Sequence, residues 1–249
     1  PLRVVLSRVS KLLPSNIPFF RRIRKFMSGF SLIGNDKLTS YFSWMDEGDI
    51  KSLFDKVIRD QVSPGYGVEQ LKGFIKDKSY NDVEKLLDLE KEFFLVDHNF
   101  NYTDKMSMAH GVEVRVPFVT RRLAETAASI PTKYKQHGKN GKWILKLVAE
   151  KWLPKGVIYR SKTGFGAPLR SWLHGPLIPL LEKLLSKEAI EKRGIFNYSA
   201  VRNMIEVDKA GKKDNAYSIY ALLSLEIWFR QFVDSETPQE LSIAELLNQ

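Results

Sequence analysis

The stretch Tyr102-Thr-Asp-Lys-Met-Ser-Met-Ala-His-Gly-Val-Glu-Val-Arg-Val-Pro-Phe118 changes character three times within seventeen residues. Asp104 to His110 reads as the start of a helix. Gly111 then permits a turn that a residue with a side chain resists. Val112 to Val116 alternates apolar and charged, the pattern of a short extended piece. Pro117 removes a backbone donor and disfavours helix at Val116. Thr120 is placed to cap a new helix through Leu123, Thr126 and Ala127, which stops before Pro131. Glu113 and Arg115 stand two apart, hence on one face of the extended piece.

Outward from this stretch, apolar residues recur at helical spacing. Val4 to Leu13 suits one helix, ended near Pro14, and Pro18 opens a second that carries Phe19, Ile23 and Phe26. A third runs from Asp46, whose side chain can cap it, through Ile50, Leu53, Phe54 and Val57. Ser63-Pro64-Gly65-Tyr66-Gly67 reads as a loop. Val68 to Ile75 and Asn81 to about Leu95 are helical again. After a loop from His137 to Gly141 comes a helix from Lys142 to about Trp152, ended by Pro154 and Gly156. Arg160 to Pro168 is a glycine-punctuated loop. Ser171 to Leu185, Tyr198 to about Ala210 and Ala216 to Val233 are the last large helices, with a short one over Leu241 to Leu247. The pattern predicts a mainly α chain, with a helical segment over 1–86 and a helical region over 87–249 that together form one domain.

Composition removes several classes of function. The 249 residues can bury one large core or two smaller ones. There is no cysteine, so disulfides, thiolate metal sites and cysteine nucleophiles are excluded within the chain, in keeping with a reducing, cytoplasmic setting. The histidines at 98, 110, 137 and 174 never fall at helical ligand spacing, and no metal set is predicted. No apolar run approaches the roughly 20 residues of a membrane span. The strongest candidate, Tyr220 to Phe229, contains Glu226 and is followed by Arg230. The net charge of +10 can signal a polyanionic partner. The basic residues are nevertheless spread along the chain. The densest early run, Arg21-Arg22-Ile23-Arg24-Lys25 between phenylalanines, reads as the solvated face of an amphipathic helix, so no nucleic-acid partner is predicted.

Two places collect charge beside glycine and proline. One is Asp104-Lys105 with Glu113 and Arg115; the other is Arg160-Ser-Lys-Thr-Gly-Phe-Gly166. Taken singly, each has a plain structural reading, as a local ion pair or a solvated loop cation. The chain has no G-x-x-x-x-G-K-[ST] phosphate loop, no G-x-G-x-x-G fingerprint and no G-x-S-x-G elbow. In Gly138-Lys-Asn-Gly-Lys142, Trp143 stands where a phosphate loop needs its hydroxyl.

Four ordered motifs decide between those readings. The Tyr102–Phe118 run resembles the signature of the asparagine synthetase family. Ile130-Pro-Thr-Lys-Tyr-Lys resembles its post-helix proline segment, and Gly141-Lys-Trp-Ile-Leu-Lys146 its G-K-x-I-L-[RK] helix start. Leu153-Pro154 followed by Arg160-Ser-Lys-Thr-Gly-Phe165 resembles its L-P…R-x-K-x-G-F loop. Trp172-Leu173 and Leu222-Leu-Ser-Leu-Glu-Ile-Trp-Phe-Arg230 agree as well, so the correspondence spans about Leu87 to Phe232.

The resemblance implies the helical C-terminal portion of an α/β pyrophosphatase-loop synthetase domain, of the adenine nucleotide alpha-hydrolase-like kind. It implies a ligase that adenylates the aspartate side chain with ATP and Mg2+, after which ammonia from a glutaminase domain, upstream or in trans, displaces AMP. Lys162 corresponds to the loop lysine that faces the phosphates and the reacting carbonyl, and Glu113 to the glutamate bordering the cleft. Arg115 orients that segment, Asp104 and Lys105 match positions near substrate, and Gly164 lets the loop approach the ligand. The family's S-G-G-x-D-S loop, its G-D-E-x-F segment and its magnesium carboxylates are absent here, as is the glutaminase cysteine. Thr120 replaces the family's aspartate. The resemblance therefore implies a chain that is inactive alone, its phosphate-binding part cut away, disordered or carried on a partner, with homo-oligomers also open. Relatives that close β-lactam rings or act in polysaccharide clusters leave the acceptor open. The rival reading is a basic helical binding module without catalysis.

Overall fold

A computed structural model describes residues 32–43, 45–63, 65–76, 79–161, 166–237 and 241–248, together with Phe19, Phe20, Ile23 and Met27. The helices read over Val4–Leu13 and from Pro18, with the Arg21–Lys25 run, lie wholly or mostly outside the described residues. The only strands among the described residues are a two-residue pair, so the chain is mainly α. It divides into two compact bodies, one of residues 1–73 with 166–249, the other of residues 74–165. The boundary drawn from sequence at 86/87 falls inside the helix Asp82–Leu89.

The first body closes a core of its own. Leu53, Leu169, Leu173, Leu180, Leu184, Ile190, Val201, Ile205, Ile219, Leu223 and Leu246 all belong to one buried cluster. They come from helices Glu47–Leu53, Leu169–Leu173, Ile178–Leu184, Lys187–Arg193, Tyr198–Lys209, Ala216–Phe232 and Ile243–Asn248. The helix predicted from Asp46 through Val57 is interrupted. Phe54 turns extended and bridges Phe196, with Asp55 N–H donating to Ile195 O (2.9 Å) and Asn197 N–H to Leu53 O (2.8 Å). Asp46 makes no side-chain cap; Asp55 caps the restarted helix Lys56–Gln61 by accepting from Val57 N–H. Tertiary pairing therefore outweighs helix propensity at Phe54. Likewise the predicted helix 171–185 is two, Leu169–Leu173 and Ile178–Leu184, joined through a turn at Gly175.

One helix of this body went unread in the sequence. Lys187–Arg193 is capped by Ser186, which accepts from Ala189 N–H, and ends at Gly194 with φ +66°. Both signals stand in the sequence, a hydroxyl cap and a left-handed glycine stop. The helix carries Arg193 to the buried Glu226, with Nε–Oε2 at 2.8 Å, and to Asp234, with Nη1–Oδ1 at 2.7 Å. Arg230 donates to the same glutamate at 2.8 Å, and the Arg193 guanidinium lies over the Phe229 ring. Glu226 is thus tolerated in an apolar helix because two arginines neutralise it.

The second body has a different economy. A helical rod runs from Asp82 through Met108, with a π-helical middle over Glu90–Phe100. Asn81 caps it by accepting from Glu84 N–H (3.0 Å). The predicted helix from Asn81 therefore starts where expected and runs past Leu95. Phe94, His98 and Tyr102 stack along it at four-residue intervals. Helices Arg121–Ser129, Trp143–Ala149 and Lys155–Ile158 follow. The loop read over His137–Gly141 is a tight hairpin, with Gln136 opposite Gly141 and His137 opposite Asn140. Gly156 does not end a helix but lies within a short one, Lys155–Ile158, that follows Pro154 at its N-cap. In this body only Ile75 and Leu89 are buried among the described residues.

Candidate functional site

Glu113 and Arg115 owe their position to how the long rod ends. Gly111 adopts φ +64°, and the chain closes on the helix in a Schellman turn. Gly111 N–H donates to Met108 O (2.9 Å), and Val112 N–H donates to Ser107 O (3.0 Å). The rod stops there, and residues 112–116 leave it without regular structure, in no strand. Pro117–Val119 then forms one 3-10 turn, and Thr120 caps Arg121–Ser129 through Leu123 N–H. The cap expected at Thr120 is therefore present, and a hydroxyl serves where the family carries a carboxylate.

Between these fixed ends, Arg115 holds Glu113 in a fork. Nε lies 3.0 Å from Oε1 and Nη2 3.4 Å from Oε2. Both side chains are exposed, Arg115 at 83% and Glu113 at 69%. An exposed pair of this kind adds less than about 1 kcal/mol to stability. What it does achieve is to hold the carboxylate at a defined place on the surface. Asp104 and Lys105 stand on the helix Asn101–Met108, both exposed and one turn or more before Gly111. Lys162 and Gly164 lie outside the described residues. The structure thus brings Glu113 to Arg115 and leaves Asp104 and Lys105 on the preceding helix.

The segment that leads toward Lys162 is fastened. The Tyr159 hydroxyl donates to Glu150 Oε1 at 2.6 Å, across the break between helices Trp143–Ala149 and Lys155–Ile158. That hydrogen bond raises the phenol above its ordinary pKa. Lys146 lies over the Tyr159 ring at 5.4 Å.

A further residue in this body escaped the sequence reading. Lys142 has φ +56° and ψ 35°, the only non-glycine residue with positive φ among the described residues. It sits between the hairpin and helix Trp143–Ala149, where His137 stacks on Trp143. Left-handed backbone costs a residue with a Cβ about 1–2 kcal/mol. Such strain gathers at functional positions. The sequence signal was the Gly141-Lys142 pair in the third motif, which was read only as a helix start.

Two other clusters occur in the first body. A polar cavity of about 300 Å³ is lined by Ala189, Lys192, Arg193, Glu226, Arg230, Asp234 and Ser235. Every carboxylate there is already bound by an arginine, as described above, so it reads as a structural clamp. His174 Nε2 lies 2.7 Å from the buried Asp208, whose other oxygen accepts Asn215 N–H at 2.6 Å. This pair ties two helices together. No group of three or more His, Asp or Glu side chains able to hold a metal occurs among the described residues. No helix among them is long and apolar enough to cross a membrane.

Comparison with known proteins gives the same reading as the motifs. The asparagine synthase family is matched over residues 20–230. The chain is similar to asparagine synthetase [glutamine-hydrolyzing] 1 of Bacillus subtilis, with 28% identity over 170 residues, 68% of this chain and 27% of that protein. A putative asparagine synthetase of Mycobacterium bovis is 24% identical over 249 residues, 97% of this chain and 36% of its own. Amidase chyE of Penicillium rubens is 24% identical over 174 residues, 68% of this chain and 24% of its own. No solved structure matches. The chain spans about a third of the length of these relatives or less. The turn at Gly111, the cap at Thr120 and the fork at Glu113 lie within the matched stretch, and the chain belongs to the asparagine synthase family.

Proposed function

We propose that this chain is the helical part of an ATP-dependent amide-forming ligase of the asparagine synthetase kind. The observation that carries the reading is the family match across residues 20–230, with its motifs in order. In the reaction proposed, a carboxylate oxygen of aspartate attacks the α-phosphorus of ATP and pyrophosphate leaves. Ammonia then attacks the acyl-adenylate carbonyl, AMP departs, and the amide remains. Two sites of developing charge need stabilisation, the α-phosphate oxygens and the later tetrahedral oxyanion. Lys162 supplies a compact cation for both, which lowers the barrier because the charge grows during reaction. Lys142, exposed and held in its strained backbone, is a second cation for phosphate oxygens. Glu113, kept in place by Arg115, orients the incoming amine or accepts its proton. The described residues hold no carboxylate cluster that fits a magnesium site.

The test is pyrophosphate exchange with ATP and aspartate, run on the 249-residue chain and on the whole polypeptide that its gene encodes. Exchange is expected only from the latter, together with asparagine formation. Exchange by the short chain would mean that phosphates are held by residues given no such role here. In the whole polypeptide, Glu113→Gln should lower turnover about 100-fold with an unchanged melting temperature. A stability loss with full turnover would reduce Glu113 to a brace. The similarity to a fungal amidase makes the acceptor a separate question, answered by offering other carboxylates in the same assay.

A further inference from the structure

The five-residue helix Leu169–Leu173 follows the stretch of chain that carries Lys162, and it is fastened on two sides. A helix this short does not hold its own direction, because its few hydrogen bonds scarcely repay the ordering. Its apolar side is fixed by Leu169 and Leu173, both buried in the core of the first body. Its polar side is fixed by charge. Arg170 forks onto Asp214, with Nε 3.1 Å from Oδ1 and Nη2 2.7 Å from Oδ2. The same guanidinium lies over the Tyr217 ring at 5.4 Å. Four residues on, His174 meets Asp208. Both carboxylates flank one connection, between helices Tyr198–Lys209 and Ala216–Phe232. That connection is cross-linked in turn. The buried Asn215 donates from its N–H to Asp208 and from Nδ2 to Met204 O at 3.0 Å.

Stability is a small part of what the fork supplies. The Arg170 side chain is 42% exposed, and a pair so open to water adds about 1 kcal/mol or less. A planar fork supplies direction, since its N–H groups meet the carboxylate in only one orientation. Together with the two leucines it fixes the helix in rotation as well as in depth. The chain just ahead is tied to the same frame. Leu169 N–H donates to Ala167 O at 2.8 Å, and Trp172 N–H donates to Pro168 O at 3.1 Å. Pro168 itself has φ −76°, a value its ring imposes. Ala167 and Pro168 therefore leave the helix in a set direction, along the chain in which Lys162 stands eight residues before Arg170.

We infer that Arg170 is a positioning residue for Lys162: its fork on Asp214 sets the direction in which the chain carrying that lysine leaves helix Leu169–Leu173. Arg170 acts through Lys162 and touches no reacting atom, so the inference rests on the role proposed for Lys162 above. A cation that stabilises charge only as the charge grows must stand in the right place, and a displacement of about 1 Å costs on the order of 100-fold.

The experiment is a double-mutant cycle in the whole polypeptide that its gene encodes. Arg170→Met should lower kcat for amide formation about 10- to 100-fold, with KM for ATP and for aspartate within about 2-fold of the parent. In the Lys162→Met background the same change should cost less than about 2-fold more, because a lysine that has been removed cannot be misplaced. Arg170→Lys keeps the charge without the fork and should restore only part of the turnover. Amide exchange separates orientation from folding. Residues 169–174 should exchange about 10-fold faster in Arg170→Met while 201–229 stay unchanged. A cost of Arg170→Met as large in the Lys162→Met background as in the parent would overturn the inference. So would faster exchange of 169–174 with full turnover, which would leave Arg170 a structural residue. If Arg170→Met loosens 201–229 as well, the cycle is read with Arg170→Lys, and additivity there overturns the inference. Full activity in Lys162→Met would remove the proposed role of Lys162 and this inference together. Turnover lost in Lys162→Met but kept in Arg170→Met would count against Arg170 alone.

Discussion

Helices Tyr198–Lys209 and Arg121–Ser129 begin in the same way. Asn197 accepts from Ala200 N–H in one, and Thr120 accepts from Leu123 N–H in the other. The first buries Val201, Met204 and Ile205, and the second buries nothing. Local chemistry therefore makes both helices, and only one of them is held by a core of the described residues. The same contrast separates two ion pairs. Glu226 is buried between Arg193 and Arg230, whereas Glu113 lies in the open with Arg115. An identical residue type sits in a buried cluster in one place and lies exposed in the other, and burial sets how much an uncompensated charge costs.

The sharpest way to break that comparison is to remove each glutamate. Glu226→Ala leaves the largely buried Arg230 without this partner and Arg193 with Asp234 alone, and should cost about 3–5 kcal/mol in the first body. Glu113→Ala should cost less than about 1 kcal/mol. Urea titrations followed by the exchange of residues 201–229 for the first body and of residues 121–149 for the second measure both. Equal losses would mean that the two bodies are not energetically distinct. Next in size is Lys162→Met in the whole polypeptide. Amide formation at saturating ATP should fall about 100- to 1,000-fold with folding unchanged. Activity within a few-fold of the parent would return Lys162 to the solvated cations.

Lys142→Gly separates backbone from charge. Glycine accepts the left-handed conformation, so stability should stay within about 1 kcal/mol of the parent. Loss of the cation should lower turnover about 10- to 100-fold. Full activity in this variant would make the strain a property of the hairpin only. The smallest effect expected is on acid stability. Hydrogen bonds from Arg193 hold the Asp234 carboxyl below its usual range. The folded state thus binds that proton less readily than the unfolded one. The resulting stabilisation is complete above about pH 4 and fades as pH falls through the lowered value. Asp234 is partly exposed, which keeps the effect small. Asp234→Asn should flatten the decline of melting temperature below about pH 4; an unchanged slope would assign the acid sensitivity to other carboxylates.

Much of this architecture was legible before any coordinates. The caps at Thr120 and Asn81 and the turn at Gly111 each have a local cause within a few residues. The limits of sequence reading appear where the cause is distant. Phe54 leaves its helix because Phe196 lies across from it, far along the chain. Asp46 gives no cap, while Asp55 does. Lys187–Arg193 was missed although its cap and its glycine stop were in view, because its apolar pattern is thin: it buries Ile190 alone.

By itself, the sequence determined the helical class, the family and the candidate residues Asp104, Lys105, Glu113, Arg115, Lys162 and Gly164, though not Lys142, which only its backbone conformation marks. Those depend on residue identity and short spacing, which every chain carries in plain view. Tertiary structure alone decided which charges are buried and which are open. Nothing in Leu222-Leu-Ser-Leu-Glu-Ile-Trp-Phe-Arg230 reveals that Glu226 answers to Arg193, thirty-three residues away. Nothing around Val112 reveals that its neighbours stay uncovered while Leu184 is sealed. Burial is a property of what lies across the core, and a linear sequence does not carry that distance.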